Sequence, residues 1–486
     1  MGVKHSVRYN FVFNLIRNLS SLLFPMITLP YLSRVLEPAG IGKISFADQF
    51  VAYFVIIASL GIPLYGTREI AKVRDDKEKL NEVFNEIFQI NILTSIFAYG
   101  LFFIFFIFGD KMQKESLLFI ITSLNIIFIT VGVDWFYQGI EKYDYITIRS
   151  LIIRVISLIL MFIFVKTKED YVISAAITVG GNVGANFFNL INARKYINYQ
   201  ILKKRDLKKH IEPVITIAFS AMAANIYLNL STVMLGYFDK GNADNSVGYY
   251  TVSNKISTMV KTLIISLGVV LIPRLSYYVK EKMTAEYERI GKKAINFIFV
   301  ISIPIVFGLI ILSKNIMIIF SGSKFIGAVP AMMIMTPIII FSAVSNFFGQ
   351  QILYSNGQEK KMLYSVIVGA IVNIISNIIL IPIYSYVGAA ISLLITEITV
   401  SLIRTYYGKE YLKINIFSKN FFKCLVAATI MEIVILEING IIKGVILSTA
   451  VSVVVGALIY GIMLLIMKEE IINEELIKIR KRVFKR

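Results

Sequence analysis

The chain has 486 residues, of which 57% are hydrophobic and only 17% charged, and its mean hydropathy is +0.72. A soluble fold cannot bury that much apolar surface, since roughly a quarter of the residues in soluble domains are charged. The formal charge of +19 does not indicate nucleic-acid binding, because most of the Lys and Arg residues lie between apolar segments. That placement is typical of membrane topology and of contact with anionic lipid head groups.

Apolar segments of about 20 residues, the length of a membrane-spanning helix, follow one another along the chain. The first lacks a cleavage pattern, so we expect a retained helix rather than a signal peptide. The sequence therefore predicts an all-α polytopic membrane protein with fourteen transmembrane helices. We place them at residues 10–33, 44–65, 85–108, 116–138, 149–166, 171–193, 213–237, 248–274, 293–312, 328–354, 363–382, 387–406, 420–438 and 444–467.

The connectors between these segments alternate between basic and weakly charged. Residues 194–210, 277–293 and 478–486 are rich in Lys and Arg, residues 67–79 have mixed charge, and residues 109–115 carry little net charge. Basic connectors stay on the cytoplasmic side of a membrane. Both termini are therefore predicted to be cytoplasmic.

Sparse internal repetition divides the chain into two similar halves. Identities or similarities that keep their order pair Gly42 with Gly248, Asp48 with Asn254, Arg68 with Arg274, Gly139 with Gly357, and Lys195 with Lys409. Each repeat holds six predicted helices, so both halves have the same orientation and a pseudo-twofold axis along the membrane normal. We predict six-helix lobes at 1–206 and 207–412, followed by two extra helices and a basic tail at 413–486.

Polar residues on the predicted helices indicate where a site lies. Asn14, Arg17 and Asn18 share one face of the first helix, and Asn225 and Asn229 are spaced in the same way on the seventh. Such faces meet protein or water rather than lipid. They either line a central substrate cavity or supply hydrogen bonds between helices, and the sequence leaves both interpretations open.

Charged residues within the spans are costly, at about 2.5–3.5 kcal/mol each near mid-membrane. Lys261 lies too deep in its predicted helix to reach an interface easily, whereas Arg17, Lys255 and Asp48 lie nearer to helix ends. The inferred cavity is net positive and favours an anionic passenger such as a phosphate or an acidic sugar. Glu397 and Asp48 are the candidates for coupling to H+ or Na+, with a structural ion pair as the alternative for Glu397.

Charges at the end of the fourth predicted helix suggest a second element. Asp134, Trp135 and Glu141 are expected near Arg149 and Arg154 of the next helix, and these three residues with Arg154 are predicted to form a cytoplasmic gate. The alternative is an interfacial tryptophan with ordinary helix-end charges. One cysteine, Cys424, excludes a cysteine-based metal site, and we expect no metal, no cofactor and no catalytic residues.

The run Asp134–Tyr143 (DWFYQGIEKY), the stretch Gly66–Ala71 (GTREIA) and Arg17 resemble the bacterial polysaccharide repeat-unit flippases. These O-antigen and capsule translocases belong to the multidrug/oligosaccharidyl-lipid/polysaccharide exporter superfamily. The resemblance implies a protein of the bacterial cytoplasmic membrane that moves an undecaprenyl-diphosphate-linked oligosaccharide by alternating access. It also implies membrane lipid and polysaccharide polymerase machinery as partners, and no nucleic acid.

Two other transport functions stay open. A flippase for lipid-linked peptidoglycan precursor would share the fourteen helices and the cationic cavity. A multidrug or cation antiporter of the same superfamily would carry an acidic cavity, which the basic set argues against. A membrane enzyme would need catalytic groups on a large loop or an intramembrane histidine, and the sequence predicts neither.

Overall fold

The computed structural model describes the backbone of residues 7–184, 186–200, 207–269 and 271–474. Within these ranges it describes all side chains except those of residues 7–8, 11, 22, 208, 216–228, 267, 269 and 273. Every regular element in the described ranges is a helix. The contacts divide the chain into two compact units, Met1–Gly236 and Tyr237–Arg486. The predicted division at residue 206 is not tested by this clustering and stays a prediction.

The first unit contains nine helices and most of a tenth. They are α1 (Val7–Ser59), α2 (Ile62–Val73), α3 (Lys77–Phe108), α4 (Asp110–Lys114), α5 (Ser116–Gly132), α6 (Asp134–Gly139), α7 (Tyr143–Phe164), α8 (Tyr171–Val179), α9 (Asn186–Ala193) and α10 (Lys208–Phe238). A π-helical turn at Gly180–Gly184 joins α8 to α9.

The second unit contains the other nine. They are α11 (Ala243–Val269), α12 (Ile272–Lys280), α13 (Thr284–Ile311), α14 (Ser313–Ser321), α15 (Val329–Met335), α16 (Ile338–Asn346), α17 (Glu359–Gly408), α18 (Lys419–Ile441) and α19 (Val445–Ile466). A second π-helical turn, Phe347–Leu353, follows α16. Helices α18 and α19 pack on each other, and α18 packs on α13 around Met431 and Ile435.

Two helices are much longer than the spans predicted for them, because each continues through a predicted connector. In α1 the backbone leaves the helical region at Glu37 (φ 57°), and in α17 at Ser385 (φ 51°). Glu37 precedes Pro38, whose ring disfavours the helical conformation in the residue before it. Each kink lies between two predicted spans, 10–33 and 44–65 in α1, and 363–382 and 387–406 in α17.

Nine helical stretches in the described ranges are long and apolar enough to cross a membrane. The chain is therefore a multi-pass membrane protein. The predicted count of fourteen is not confirmed, since two of the nine stretches contain the kinks and α10, α11 and α18 are not among them.

Aromatic packing fixes the end of the first unit at which α2, α3 and α6 meet. Trp135 stacks on Phe84 with ring centroids 5.3 Å apart, and Phe136 packs edge-on against the same ring at 5.0 Å. Gly66 of α2 faces the indole so closely that a β-carbon there would lie 2.6 Å from Trp135 Cε3. Close packing of α2 against α6 thus requires glycine at position 66.

The segment after α9 is fastened to α3 by amide side chains one helical turn apart. Asn81 Oδ1 accepts from the Asn198 amide at 2.7 Å, and Asn85 accepts from the Gln200 amide at 3.0 Å while donating to the Asn198 carbonyl at 2.9 Å. Tyr199, between them, is half-buried, and this burial raises the pKa of its phenol to about 12. The backbone of residues 198–200 is therefore held against α3 by side-chain hydrogen bonds.

Candidate functional site

A cluster of charged side chains forms where α1, α6, α7 and α9 meet in the first unit. Its carboxylate, Asp134, begins α6 directly after Val133, whose left-handed backbone (φ 38°) turns the chain between α5 and α6. A β-branched residue in that conformation is strained, and it persists only where the surrounding packing enforces it. Val133 is fully buried, which supplies that packing and sets the direction of Asp134.

Asp134 joins two arginines that are far apart in sequence. Arg17 Nη2 donates to Asp134 Oδ2 at 2.5 Å, and Arg149 Nη2 approaches Oδ1 at 3.4 Å. Asn189 Nδ2 also donates to Oδ1, at 2.7 Å. Arg17 and Asp134 keep about a quarter of their side-chain surface exposed, so the pair is neither fully buried nor freely solvated.

A third arginine and further donors extend the cluster. Arg154 Nη1 donates to Ser20 Oγ at 2.5 Å, one helical turn from Arg17 on α1. Arg149 Nη2 contacts Asn186 Oδ1 at 3.3 Å, while its Nε and Nη1 are buried without a hydrogen-bond partner among the described residues. We call Arg17, Arg149, Arg154 and Asp134 the arginine cluster. Three guanidinium groups and one carboxylate give it a formal charge of +2.

The residues predicted to form a gate are not all brought together. Asp134 and Arg154 lie in the arginine cluster, whereas Trp135 is buried among the aromatic rings of α3 and α6. Glu141 forms an ion pair with Arg74 at the end of α2, and the pair raises the pKa of Arg74. Sequence reasoning placed Arg149 near this region but did not select it as a site residue, and its spacing on α7 alone gave no signal to do so.

The predicted asparagines are placed as follows. Asn14 and Asn18 are exposed on α1, Asn229 is half-buried on α10, and the side chain of Asn225 lies outside the described residues.

The second unit holds a smaller ion pair. Lys261 Nζ on α11 lies 3.9 Å from Glu397 Oε1 on α17, and Ser342 Oγ donates to Glu397 Oε2 at 2.7 Å. Glu397 is buried, and a buried carboxylate needs a nearby positive charge, which Lys261 supplies. Lys255, two turns earlier on α11, is exposed.

Asp48 lies in a separate cavity of the first unit. The cavity has a volume of about 200 Å³, and Asp48, Asn125, Thr178 and Asn182 line it together with six apolar residues. Asn182 belongs to the π-helical turn, a feature often found at functional sites. Carboxylate, amide and hydroxyl oxygens are ligands that a small hard cation accepts.

His210, the last residue of the basic connector 194–210, is buried at the start of α10. Its Nδ1 lies 2.5 Å from the Tyr65 hydroxyl and its Nε2 lies 2.9 Å from Glu86 Oε2. Lys209 Nζ lies 3.0 Å from the same carboxylate oxygen. These contacts join α10 to α2 and α3. In the described residues, no group of three His, Cys, Asp or Glu side chains is placed to hold a metal ion.

Comparisons with known proteins agree with this architecture. Residues 7–279 match the family described as polysaccharide biosynthesis protein, and residues 216–379 match the MatE family. A protein of Escherichia coli (strain K12) provisionally named O-antigen transporter is 24% identical over 82% of this chain and 95% of its own length. The capsular polysaccharide biosynthesis protein CapF of Staphylococcus aureus is also 24% identical, over 82% of this chain and 98% of its own.

Among solved structures, the lipid II flippase MurJ in an inward closed conformation is similar to this chain with a TM-score of 0.73. The similarity covers 95% of this chain and 100% of the flippase at 17% sequence identity, so it shows a shared fold. These relatives are named as transporters, biosynthesis proteins or flippases, and none of the names describes a catalytic activity.

Proposed function

Since this chain belongs to the polysaccharide biosynthesis protein family, we propose that it moves an oligosaccharide repeat unit linked to undecaprenyl diphosphate across the bacterial cytoplasmic membrane. The names of the relatives from Escherichia coli and Staphylococcus aureus support transport of O-antigen or capsule material. Polysaccharide polymerase machinery, which would use the delivered unit, is the expected downstream partner.

The observation that carries the proposal is the arginine cluster. A diphosphate diester has two ionised phosphates, which match the cluster's formal charge of +2. Arginine binds phosphate oxygens with paired N–H donors, and the side chains of Arg17 and Arg154 are partly exposed. The cluster thus offers the positive charge and the guanidinium donors that the diphosphate group needs.

Asp134 would make the binding of the diphosphate group reversible. In the structure its carboxylate occupies donors of Arg17 and Arg149. An arriving diphosphate competes with Asp134 for the same guanidinium groups, and the carboxylate re-forms its contacts when the phosphates leave. Exchange between two anions avoids leaving the arginines unpaired within the membrane at either stage.

We further propose that the chain crosses the membrane fourteen times, with both ends in the cytoplasm, and works by alternating access. The kinks at Glu37 and Ser385 would each divide one long helix into two spans. Lys255 and Lys261 would give the second unit its own cationic substrate-binding residues, with Glu397 limiting the positive charge there. Asp48, in the cavity that it shares with Asn125, Thr178 and Asn182, or Glu397 would bind the coupling ion, H+ or Na+.

The test is deletion of the gene in its source organism, followed by mass analysis of lipid-linked saccharides on the cytoplasmic leaflet. Undecaprenyl-diphosphate oligosaccharide should accumulate in the deletion strain. Expression of the wild-type protein in that strain should return the amount of this lipid to normal. Arg17→Ala and Arg154→Ala should insert into the membrane and leave the saccharide uncleared. Arg289→Ala, which changes an exposed arginine paired with Glu286, should behave as wild type.

The same assay separates the second candidate. The fold shared with the lipid II flippase favours a peptidoglycan precursor as the alternative passenger. Accumulation of that precursor, with normal amounts of oligosaccharide intermediate, would replace the first proposal by the second. Loss of drug resistance without accumulation of either lipid would overturn both.

A further inference from the structure

Arg149 is enclosed more tightly than Arg17, the other arginine that Asp134 contacts. The Arg149 side chain is 11% exposed and that of Arg17 25%, and the Nε and Nη1 atoms of Arg149 have almost no accessible surface. Neither atom has a hydrogen-bond partner among the described residues, although buried donors are normally satisfied. An arriving diphosphate can therefore reach the Arg17 guanidinium, but only a side chain already inside the cluster can reach these two donors of Arg149.

The two arginines hold Asp134 unequally. Arg17 Nη2 donates to Asp134 Oδ2 at 2.5 Å, whereas Arg149 Nη2 lies 3.4 Å from Oδ1. The same Arg149 nitrogen lies 3.3 Å from Asn186 Oδ1, so both of its contacts are long. In this arrangement Arg17 is the stronger cationic partner of the carboxylate, and Arg149 contacts the carboxylate through one nitrogen only.

The shape of the guanidinium group allows Arg149 to form a second bond to the same carboxylate. A guanidinium can bind a carboxylate with two parallel N–H bonds, and Nη2 belongs to both pairs of donors that do so, one with Nε and one with Nη1. Because Oδ1 of Asp134 already lies beside Nη2, a turn of the carboxylate that brings Oδ2 to Nε or Nη1 completes a two-bond pair. That turn requires Oδ2 to leave Arg17.

We propose that Arg149 is a positioning residue that takes over the Asp134 carboxylate when the diphosphate of the passenger takes Arg17. This inference rests on the proposed function, because it concerns the step at which the diphosphate enters the arginine cluster. Oδ2 moves from Arg17 to a buried donor of Arg149, so neither the carboxylate nor Arg17 is left without an opposite charge. When the diphosphate leaves, Oδ2 returns to Arg17. Arg149 thus acts through Asp134 and not on the passenger.

A double-mutant cycle tests this exchange, with binding of inorganic diphosphate to the full chain in detergent measured by titration calorimetry. Arg149→Lys keeps the positive charge but cannot form the two-bond pair, because an ammonium is a point donor. It should weaken diphosphate binding about ten-fold, the size of one charge-assisted hydrogen bond. In an Asp134→Asn background the same substitution should change the dissociation constant by less than about two-fold, because no carboxylate has to be held there. Arg289→Lys, at the exposed pair with Glu286, is the control and should bind diphosphate as wild type does.

The outcomes of the cycle separate this inference from the proposed function. Equal affinity of wild type and Arg149→Lys would overturn the inference and leave diphosphate binding by the cluster intact. A loss of affinity that persists in the Asp134→Asn background would also overturn it, because Arg149 would then bind the diphosphate directly. Absence of diphosphate binding by wild type would count against the proposed function and remove the inference with it.

Infrared difference spectra of the wild-type protein test the same step without any change at Arg149. Bands that diphosphate induces in wild type but not in Asp134→Asn belong to the Asp134 carboxylate. These carboxylate stretching bands should shift, because one bond to Arg17 is replaced by a two-bond pair with Arg149. Unchanged carboxylate bands, or the carbonyl band of a protonated acid in their place, would contradict the transfer of Asp134 to Arg149.

Discussion

Asp134 connects residues that are 117 and 15 positions away in sequence, Arg17 and Arg149. Because the site is only part-buried, water screens these pairs to some extent. The contribution of the carboxylate to stability should therefore lie between that of a surface ion pair and that of a buried one.

Asp134→Asn keeps the shape of the side chain and removes its charge, which leaves the arginines without their counter-charge. We expect a loss of about 1–3 kcal/mol in stability, intermediate between exposed and buried pairs. Thermal unfolding in detergent can be followed by the fluorescence of Trp135, the single tryptophan of the chain. Glu286→Gln, which breaks an exposed pair with Arg289, is the control and should lower the unfolding temperature much less.

Inorganic diphosphate extends the same experiment to function. Inorganic diphosphate should raise the unfolding temperature of Asp134→Asn more than that of wild type, because in the variant the diphosphate does not compete with the Asp134 carboxylate for the arginines. An equal shift in both proteins, or none in either, would count against anion binding at the arginine cluster.

At the scale of elements, the contact between α2 and α6 depends on the absence of a side chain at position 66. A β-carbon there would lie 2.6 Å from Trp135 Cε3, and the indole is held in turn by Phe84. A rigid, stacked ring cannot move aside as the end of a flexible side chain can.

Gly66→Ala should therefore destabilise the protein by about 1–3 kcal/mol, the usual cost of overpacking. Gly100→Ala on α3 is the matched control, since nothing lies within 4 Å of the added methyl group. Alanine favours a helix interior over glycine, so the control should be neutral or slightly stabilising. Similar unfolding temperatures for the two variants in detergent would contradict the close contact.

The segment at residues 198–200 depends on α3 in another way, through amide side chains that bind its backbone. Asn85 makes two of these bonds, one as acceptor and one as donor. Removing it should allow this segment to open without unfolding the helices around it.

Asn85→Ala should speed amide hydrogen exchange at Gln200 by about ten-fold, the effect of one lost hydrogen bond of roughly 1.4 kcal/mol. Glu82→Gln, an exposed change on the same helix, should leave that exchange rate unchanged. If exchange at Gln200 were as slow in Asn85→Ala as in wild type, the side-chain bonds would not be what holds the segment.

At the scale of the whole molecule, the number of membrane crossings determines on which side each connector lies. The charge alternation predicts fourteen, with residues 109–115 outside and residues 277–293 inside. Nine crossings would place the two termini on opposite sides of the membrane. The side from which a residue can be labelled therefore distinguishes nine crossings from fourteen.

Single cysteines at Gln113 and Glu286, introduced into a Cys424→Ala parent, test this topology in intact cells. A membrane-impermeant maleimide should label Gln113→Cys directly and Glu286→Cys only after permeabilisation. The parent lacks the native thiol, the single cysteine of the chain, so labelling reports the introduced cysteine alone. Labelling of both positions from outside would refute the fourteen-helix topology.

Much of the fold class could be read from the sequence, because hydropathy and charge act over short stretches of chain. The apolar segments, the basic connectors and the DWFYQGIEKY run were sufficient to predict a membrane transporter of a polysaccharide family, and the family is confirmed. Helix ends were less predictable, since α1 and α17 continue through connectors that polarity alone marks as breaks.

The sequence by itself determined that this chain is an all-helical membrane protein of a known transporter family with charges inside its spans. Only the tertiary structure decided which charges meet: Arg17 with Asp134, Lys261 with Glu397, and Glu141 with Arg74 instead of with the predicted gate. The physical reason is that the cost of putting a charge into hydrocarbon depends on residue type and depth, which a sequence reveals. Whether an opposite charge offsets that cost depends on distances of a few ångströms between helices that are remote along the chain.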